Sequence, residues 1–235
     1  MGNALGQQGP CGVGASCQHN TLIKVCGLTR PQDVALCCQL GVHFVGFIFA
    51  PKSPRRVTPA LAAALRSCEP VQSISVSPTP HSAPRRVGVF VGATVEEVQT
   101  TMQEAHLDFA QLHGGEDEAF CRAVGPQRVI KVLWPERLGW QGLEQELARF
   151  APVCAMFLLE AGASGGGSGK AMNWELLAGL KVPRPWLLAG GLGPHNVREA
   201  IAACCPTGVD MNSALETAPG IKDYALLHAA VVCVG

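Results

Sequence analysis

Residues 22–31 read LIKVCGLTRP, an apolar run that leads directly into the start of a helix. The run ends at Cys26, and Thr29, Pro31 and Gln32 have the spacing of a capped helix with proline in its first turn. Cys26 is therefore predicted to end a buried strand, at the mouth of a loop between strand and helix. Barrels and doubly wound sheets place their chemistry at that end of their parallel strands. Cys26 is thus a candidate catalytic thiol.

The same alternation of strand and helix repeats along the chain. Several of the apolar runs are hydrophobic at nearly every position, which is typical of parallel strands buried on both faces. The predicted strands cover 22–26, 43–49, 86–91, 107–112, 128–133, 154–159, 185–189 and 207–212. Eight such units in about 210 residues have the count and size of a single (β/α)8 barrel. A doubly wound open sheet has the same periodicity and remains the alternative.

Several helix starts are visible between these strands. Thr58 precedes a proline, and Thr94 with Glu97 has the spacing of a capping box. A further helix is predicted to begin after Pro194, and a last one to cover about 221–232.

Composition limits the class of protein. The 235 residues are 48% apolar, which is enough for one barrel-sized domain with a large core. The 18 basic and 18 acidic residues cancel, so charge gives no case for a nucleic-acid or anionic membrane partner. No apolar stretch approaches the roughly 20 residues that span a bilayer.

We expect residues 1–21 to be a disordered extension, 22–235 to form the barrel, and the Pro- and Ser-rich segment 70–84 to be an enlarged loop.

The 11 cysteines are scattered, and none forms a C-x-x-C pair. This spacing argues against a zinc site or a thioredoxin-like pair. Because the first residues also lack the pattern of a secretory signal, we predict free thiols and a cytoplasmic location. The cysteine count alone keeps a redox or metal-binding protein open as an alternative.

Two loops after the late strands resemble phosphate sites. Gly190 and Gly191 follow the seventh predicted strand, and Asn212 and Ser213 follow the eighth. In barrels, backbone N–H groups of these two loops and a short helix N-terminus bind phosphate. Ordinary turn glycines are the alternative interpretation.

Other polar residues also stand at strand ends. Glu160 closes the sixth strand, where partial desolvation would suit a general acid, although a carboxylate there can also simply pair. Arg55 or Arg56 could bind a substrate carboxylate, or both could be solvated. His113, after the fourth strand, could donate to substrate, act as a base, or be structural. The run 165–169 with Lys170 is predicted to be a glycine-rich lid over a ligand, with a surface loop as the alternative.

Taken together, these segments carry a family signature. The chain resembles phosphoribosylanthranilate isomerase of tryptophan biosynthesis, in family order from about residue 22 to the end. The matching stretches are KVCGLT (24–29), GFIFAPKSPR (46–55), VGVFV (87–91), QLHG (111–114), GGSGK (166–170), LAGGL (188–192), GVD (208–210), Glu216 and PGIKD (219–223).

The resemblance implies a cofactor-free barrel without a metal that binds a small phosphosugar and acts as a monomer or homodimer. It places the catalytic base on Cys26 and the acid on Glu160. It assigns substrate binding to Arg55, Gln111, His113 and Asp210, and phosphate binding to Gly190, Gly191, Asn212 and Ser213.

Four positions depart from the family pattern. Glu160 replaces an aspartate, Asn212 a serine, Ala214 a glycine and Gly92 an asparagine. The predicted activity is an Amadori rearrangement of N-(5-phosphoribosyl)anthranilate to 1-(2-carboxyphenylamino)-1-deoxyribulose 5-phosphate. Two alternatives use the same barrel, namely a catalytically lapsed phosphosugar-binding relative and a phosphosugar isomerase of histidine biosynthesis. The latter would be expected to use paired carboxylates, which a cysteine on the first strand argues against.

Overall fold

The computed structural model describes residues 21–65, 83–160 and 174–235. Eight parallel strands close into a barrel in chain order, and the eighth pairs with the first. The strands are β1 Leu22–Val25, β2 Phe44–Ile48, β3 Arg85–Phe90, β4 Phe109–Leu112, β5 Val129–Leu133, β6 Met156–Glu160, β7 Trp186–Ala189 and β8 Gly208–Met211. The predicted (β/α)8 barrel is confirmed, and the open sheet is excluded because the pairing of β1 with β8 closes the ring.

Helices surround the barrel in the described ranges. They are α1 Pro31–Gln39, α2 Pro59–Ala64, α3 Val95–Glu104, α4 Glu118–Val124, α5 Pro135–Phe150, α6 Val197–Cys204 and α7 Tyr224–Val234. Between β6 and β7 the described residues form a short 3-10 helix, Trp174–Leu177, where the repeat predicts an α-helix. The rest of that connection, with the predicted lid and Lys170, lies outside the described residues, as do 1–20 and 66–82.

Two predicted helix caps are confirmed. The Thr58 hydroxyl accepts the backbone N–H of Leu61 at the start of α2. At the start of α3, Thr94 and Glu97 each accept the other's backbone N–H, which is the predicted capping box. These caps depend only on local spacing, which is why the sequence predicts them well.

Two other helix starts differ from prediction. Arg30 rather than Thr29 stands at the N-cap of α1, without a side-chain cap, because the Thr29 hydroxyl donates to the carbonyl of Gly220 at 2.6 Å. The last helix begins at Tyr224 instead of about 221, since Ile221–Lys222 (β10) pairs with Glu216–Ala218 (β9) as a hairpin. Asp223 then caps α7.

The alternation of side chains along each strand divides the core in two. A large cluster fills the space between strands and helices and includes Ile23 and Val25 of β1. A smaller inner cluster fills the barrel and consists of Phe44, Val87, Ile130, Val132, Met156, Leu158, Leu187 and Ala189. A third group, Cys26, Ile48 and Val89, contributes side chains from β2, β3 and the residue after β1. Successive strand residues point to opposite faces, so Cys26 is on the opposite face from Val25.

Most of the described cysteines are free thiols, but two are disulfide-bonded. Five of the described cysteines are buried free thiols, and Cys233 is a half-buried one. Cys38 and Cys205 are disulfide-bonded, so the prediction of free thiols is wrong for these two, which lie at the C-terminal ends of α1 and α6.

In the described part of the chain, no helix is long and apolar enough to cross a membrane.

Candidate active site

A cavity of about 380 Å³ lies among the residues at the C-terminal ends of the strands. Its size falls in the range of small-molecule sites. Its lining includes Cys26, Arg55, Gln111, His113, Glu160, Gly190, Gly191, Asp210, Asn212 and Ser213. These are the ten site residues that the sequence analysis names. Of the two adjacent arginines, Arg55 lines the cavity, whereas the backbone of Arg56 forms a β-bridge with Ile48.

Cys26 follows β1 and is 4% exposed, and its backbone N–H donates to the carbonyl of Met211 at 2.9 Å. Burial raises the pKa of the Cys26 thiol above its ordinary value, and the charges of Lys24 and Lys222 offset that rise in part. Removal from water outweighs the two ammonium groups.

Lys24 and Asp210 form a buried ion pair beside that thiol. The Lys24 ammonium donates to Asp210 Oδ2 at 2.8 Å, and the lysine side chain is fully buried. Burial alone would lower the pKa of Lys24, but Asp210 and Cys26 raise it above its ordinary value. Lys24 therefore keeps its proton and presents a positive charge to the Cys26 sulfur.

Glu160 ends β6 with its carboxyl held by two ring nitrogens. Oε2 accepts the indole N–H of Trp134 at 3.2 Å and lies 3.0 Å from His113 Nε2. On its other side, His113 Nδ1 is 3.5 Å from the side-chain nitrogen of Gln111. With the Gln111 amide in this orientation, Nδ1 is the acceptor of the contact, which leaves Nε2 to donate to Glu160.

Arg55 is oriented by a carboxylate from the loop after β8. Its Nε and Nη2 atoms donate to Glu216, with the shortest contact at 2.6 Å. Lys222 Nζ also donates to Glu216, at 2.8 Å, and to the Asn212 side chain at 3.0 Å. Burial raises the pKa of Glu216, but Arg55 and Lys222 more than offset this, so its pKa lies below the ordinary value. The Nη1 edge of Arg55 remains for a ligand.

The loops after β7 and β8 form the other end of the cavity. Gly190 and Gly191 have φ angles of 105° and 68°, a region that favours glycine, so the backbone itself can face a ligand. Ser213–Leu215 is a single turn of 3-10 helix that begins after Asn212. The residue in its middle, Ala214, is not among the non-glycine residues with positive φ. Alanine in place of the family glycine therefore costs no backbone strain.

Two acceptors in the cavity have no hydrogen-bond partner. Gln111 Oε1 and Asp210 Oδ1 are both buried and unpaired, although their residues line the open space. A buried acceptor without a partner costs about 1–3 kcal/mol, which a ligand hydroxyl can recover. In the described part of the chain, no group of three or more His, Cys, Asp or Glu side chains could hold a metal ion.

Several site contributors are assigned no role by sequence analysis. Lys24, Glu216 and Lys222 are buried charged residues within matched segments, and Trp134 lies outside those segments. An available signal for Lys24 is its position two residues before Cys26, which places it on the same strand face in an otherwise apolar run. Trp134 has no comparable signal, because its partner Glu160 belongs to the next strand.

Comparisons with known proteins agree with this geometry. The model of the N-(5'-phosphoribosyl)anthranilate isomerase family matches residues 23–232. The isomerase of Maridesulfovibrio salexigens is 45% identical over 215 residues, which cover 91% of this chain and 98% of that protein. That of Desulfovibrio desulfuricans is 50% identical over 211 residues, 89% of this chain and 93% of that protein.

Solved structures give the same result. The phosphoribosyl anthranilate isomerase of Thermotoga maritima superposes with a TM-score of 0.77 at 30% identity, over 91% of this chain and 98% of that one. A structure of phosphoribosyl anthranilate isomerase in complex with reduced 1-(o-carboxyphenylamino)-1-deoxyribulose 5-phosphate has a TM-score of 0.71 at 29% identity, with the same coverage. The chain described here belongs to the N-(5'-phosphoribosyl)anthranilate isomerase family.

Proposed function

We propose that Cys26 and Glu160 are the base and the acid with which this chain isomerises N-(5-phosphoribosyl)anthranilate in tryptophan biosynthesis. The product is 1-(2-carboxyphenylamino)-1-deoxyribulose 5-phosphate. The reaction is an internal redox exchange between two sugar carbons, so it needs only proton transfers and no cofactor. The observation that carries the proposal is that Cys26 and Glu160 line one cavity, together with Gln111 and Asp210, which each hold an unpaired acceptor.

The first step opens the sugar ring. Glu160, protonated, gives its proton to the furanose oxygen as the bond from that oxygen to C1 breaks. The anthranilate nitrogen supplies the electron pair, and a protonated Schiff base forms. The two donors on Oε2 leave Oε1 to carry the proton, because a protonated carboxyl accepts hydrogen bonds best at its carbonyl oxygen.

The second step removes the proton from sugar C2. The Cys26 thiolate accepts this proton. The electrons of the broken C2–H bond then form a C1–C2 double bond and neutralise the Schiff base nitrogen, which gives an enolamine. The enolamine then loses its hydroxyl proton and gains one at C1 to become the ketone. Lys24 stabilises the thiolate by its adjacent charge, although burial keeps the pKa of Cys26 raised.

Substrate binding uses the two ends of the cavity. Arg55, fixed by Glu216 through Nε and Nη2, offers its Nη1 edge to the anthranilate carboxylate. The glycines after β7 and the turn that begins at Ser213 receive the phosphate through backbone N–H groups. Between them, Gln111 Oε1 and Asp210 Oδ1 accept hydrogen bonds from sugar hydroxyls, while His113 orients the acid.

The assignment of the base is tested with Cys26→Ser. Turnover of freshly generated phosphoribosylanthranilate is followed by the loss of its anthranilate-type fluorescence. We expect Cys26→Ser to fold normally and to lose nearly all activity, because a hydroxyl is a far weaker base than a thiolate. Cys233→Ser, which changes a free thiol outside the cavity, is the matched control. Near-normal turnover of Cys26→Ser would refute the assignment.

The cellular context belongs to the proposal as well. We place the reaction in the cytoplasm and expect a monomer or a homodimer that works on a free phosphosugar. One solved relative is a phosphoribosylanthranilate isomerase from Thermotoga maritima whose dimer was converted into monomers. Size-exclusion chromatography with light scattering distinguishes the two states for this chain.

A further inference from the structure

Glu160 is one methylene longer than the aspartate of the family pattern, and in this chain a tryptophan N–H donates to it. Trp134 is the first residue after β5, and Leu133 pairs in register with Leu159, so Trp134 stands next to Glu160 on the neighbouring strand. Its indole N–H donates to Glu160 Oε2 at 3.2 Å. Trp134 itself is not among the residues that line the cavity.

The indole ring is fixed from several sides. It packs against the inner cluster of the barrel, the His113 ring meets it edge-on at 5.2 Å between centroids, and the Arg137 guanidinium lies 4.8 Å from its centroid. Edge-to-face and cation–π contacts of this kind orient a ring as well as bury it. These contacts orient the indole so that its N–H points to the carboxyl of Glu160.

We propose that Trp134 is a positioning residue that adapts the site to a glutamate acid. Trp134 lies outside the cavity lining, so its hydrogen bond to Oε2 holds the carboxyl away from the ligand. This position offsets the length that the added methylene gives to the side chain. With His113 on the same oxygen, it also reserves Oε1 for the proton that is transferred. This inference rests on the proposed role of Glu160 and extends it to a residue outside the cavity lining.

The proposal predicts that the effect of Trp134→Phe on kcat depends on which acid stands at position 160. A carboxyl displaced by about 1 Å can cost about 100-fold in rate. Trp134→Phe keeps the ring and removes the N–H, so we expect kcat to fall about 10- to 100-fold while KM stays within twofold. In the Glu160→Asp background the shorter side chain no longer reaches the indole, and Trp134→Phe should then change kcat less than twofold.

A double-mutant cycle with these variants separates positioning from general structure. Trp140→Phe is the control, since Trp140 lies on α5 and is 48% exposed. An equal loss of kcat in the Glu160 and Glu160→Asp backgrounds, or no loss in either, would overturn the proposal. A wild type without turnover would instead contradict the proposed function.

A second measurement tests the contact independently of turnover. The indole N–H resonance of Trp134 is identified in a 15N-labelled protein by its absence from Trp134→Phe. We expect slow hydrogen exchange of this group in the wild type and faster exchange in Glu160→Asp, with the Trp140 resonance unchanged. If Glu160→Asp leaves the Trp134 resonance and its exchange rate unaltered, the contact does not hold the acid and the proposal fails.

Discussion

The position of the Cys26 sulfur depends on the absence of a side chain at residue 46. Gly46 lies on β2 next to the end of β1, where Val25 pairs with Val45. A Cβ built on Gly46 would lie 2.7 Å from Cys26 Sγ, 3.1 Å from its Cα and 3.2 Å from its Cβ. We therefore predict that Gly46→Ala disables the enzyme without unfolding it.

The magnitude follows from these distances. Carbon atoms in ordinary contact lie about 3.5 Å or more apart, so the sulfur must retreat by about 0.8 Å. The backbone of Cys26 is close as well, which prevents rotation of the thiol alone from relieving the contact. A displacement of this size predicts a fall in kcat of about 10- to 100-fold. Overpacking should cost about 1–3 kcal/mol of stability, a loss that the folded barrel can tolerate.

The assay compares steady-state kcat and the thermal unfolding midpoint of Gly46→Ala with those of the wild type. Gly142→Ala is the control, because a Cβ there would meet only an ordinary contact at 3.6 Å and Gly142 lies within a helix. The reasoning predicts that only Gly46→Ala loses activity. A Gly46→Ala variant with kcat within twofold of the wild type would refute the claim that this contact sets the thiol's position.

Two further predictions follow from the electrostatics and the unpaired acceptors. Because burial raises the pKa of Cys26, its thiol should titrate above the ordinary cysteine value, as the ultraviolet absorbance of the thiolate in the wild type minus that in Cys26→Ser would measure; a thiol that titrates below that value would contradict the raised pKa. Gln111→Met removes the unpaired Oε1 at similar volume and should raise KM about tenfold, or ~1.4 kcal/mol, and the loss of its Nε2 contact to His113 should lower kcat as well, as steady-state kinetics against the wild type would measure; an unchanged KM would show that no substrate hydroxyl uses this acceptor.

Sequence patterns predict the barrel well because its signals are local. The strands end within two residues of their predicted limits, since the apolar runs are short and bounded by turn residues. The caps at Thr58 and Thr94 involve residues three positions apart. The cap at Thr29 fails for the opposite reason, because its hydroxyl donates to a carbonyl 191 positions away.

In the site, as in the fold, features set by local sequence are predicted, whereas features set by distant contacts are not. Family motifs select ten residues, and all ten line the cavity, because motif positions at strand ends converge once the strands close. The electrostatic environment depends on distant pairs, such as Lys24 with Asp210, 186 positions apart. No local pattern reveals that burial together with Asp210 outweighs Lys24 in setting the pKa of Cys26, or that Trp134 supports Glu160. Those effects depend on packing that only the closed barrel defines.

The proposed activity depends most directly on Glu160 acting as the acid in place of the family aspartate. The decisive measurement is steady-state turnover of freshly generated phosphoribosylanthranilate by the wild type, Glu160→Gln and Glu160→Asp in parallel. We predict clear turnover by the wild type and a loss of at least about 100-fold in Glu160→Gln, which cannot donate the proton. An inactive wild type together with an active Glu160→Asp would contradict the account, because the glutamate would then mark a barrel whose chemistry has lapsed.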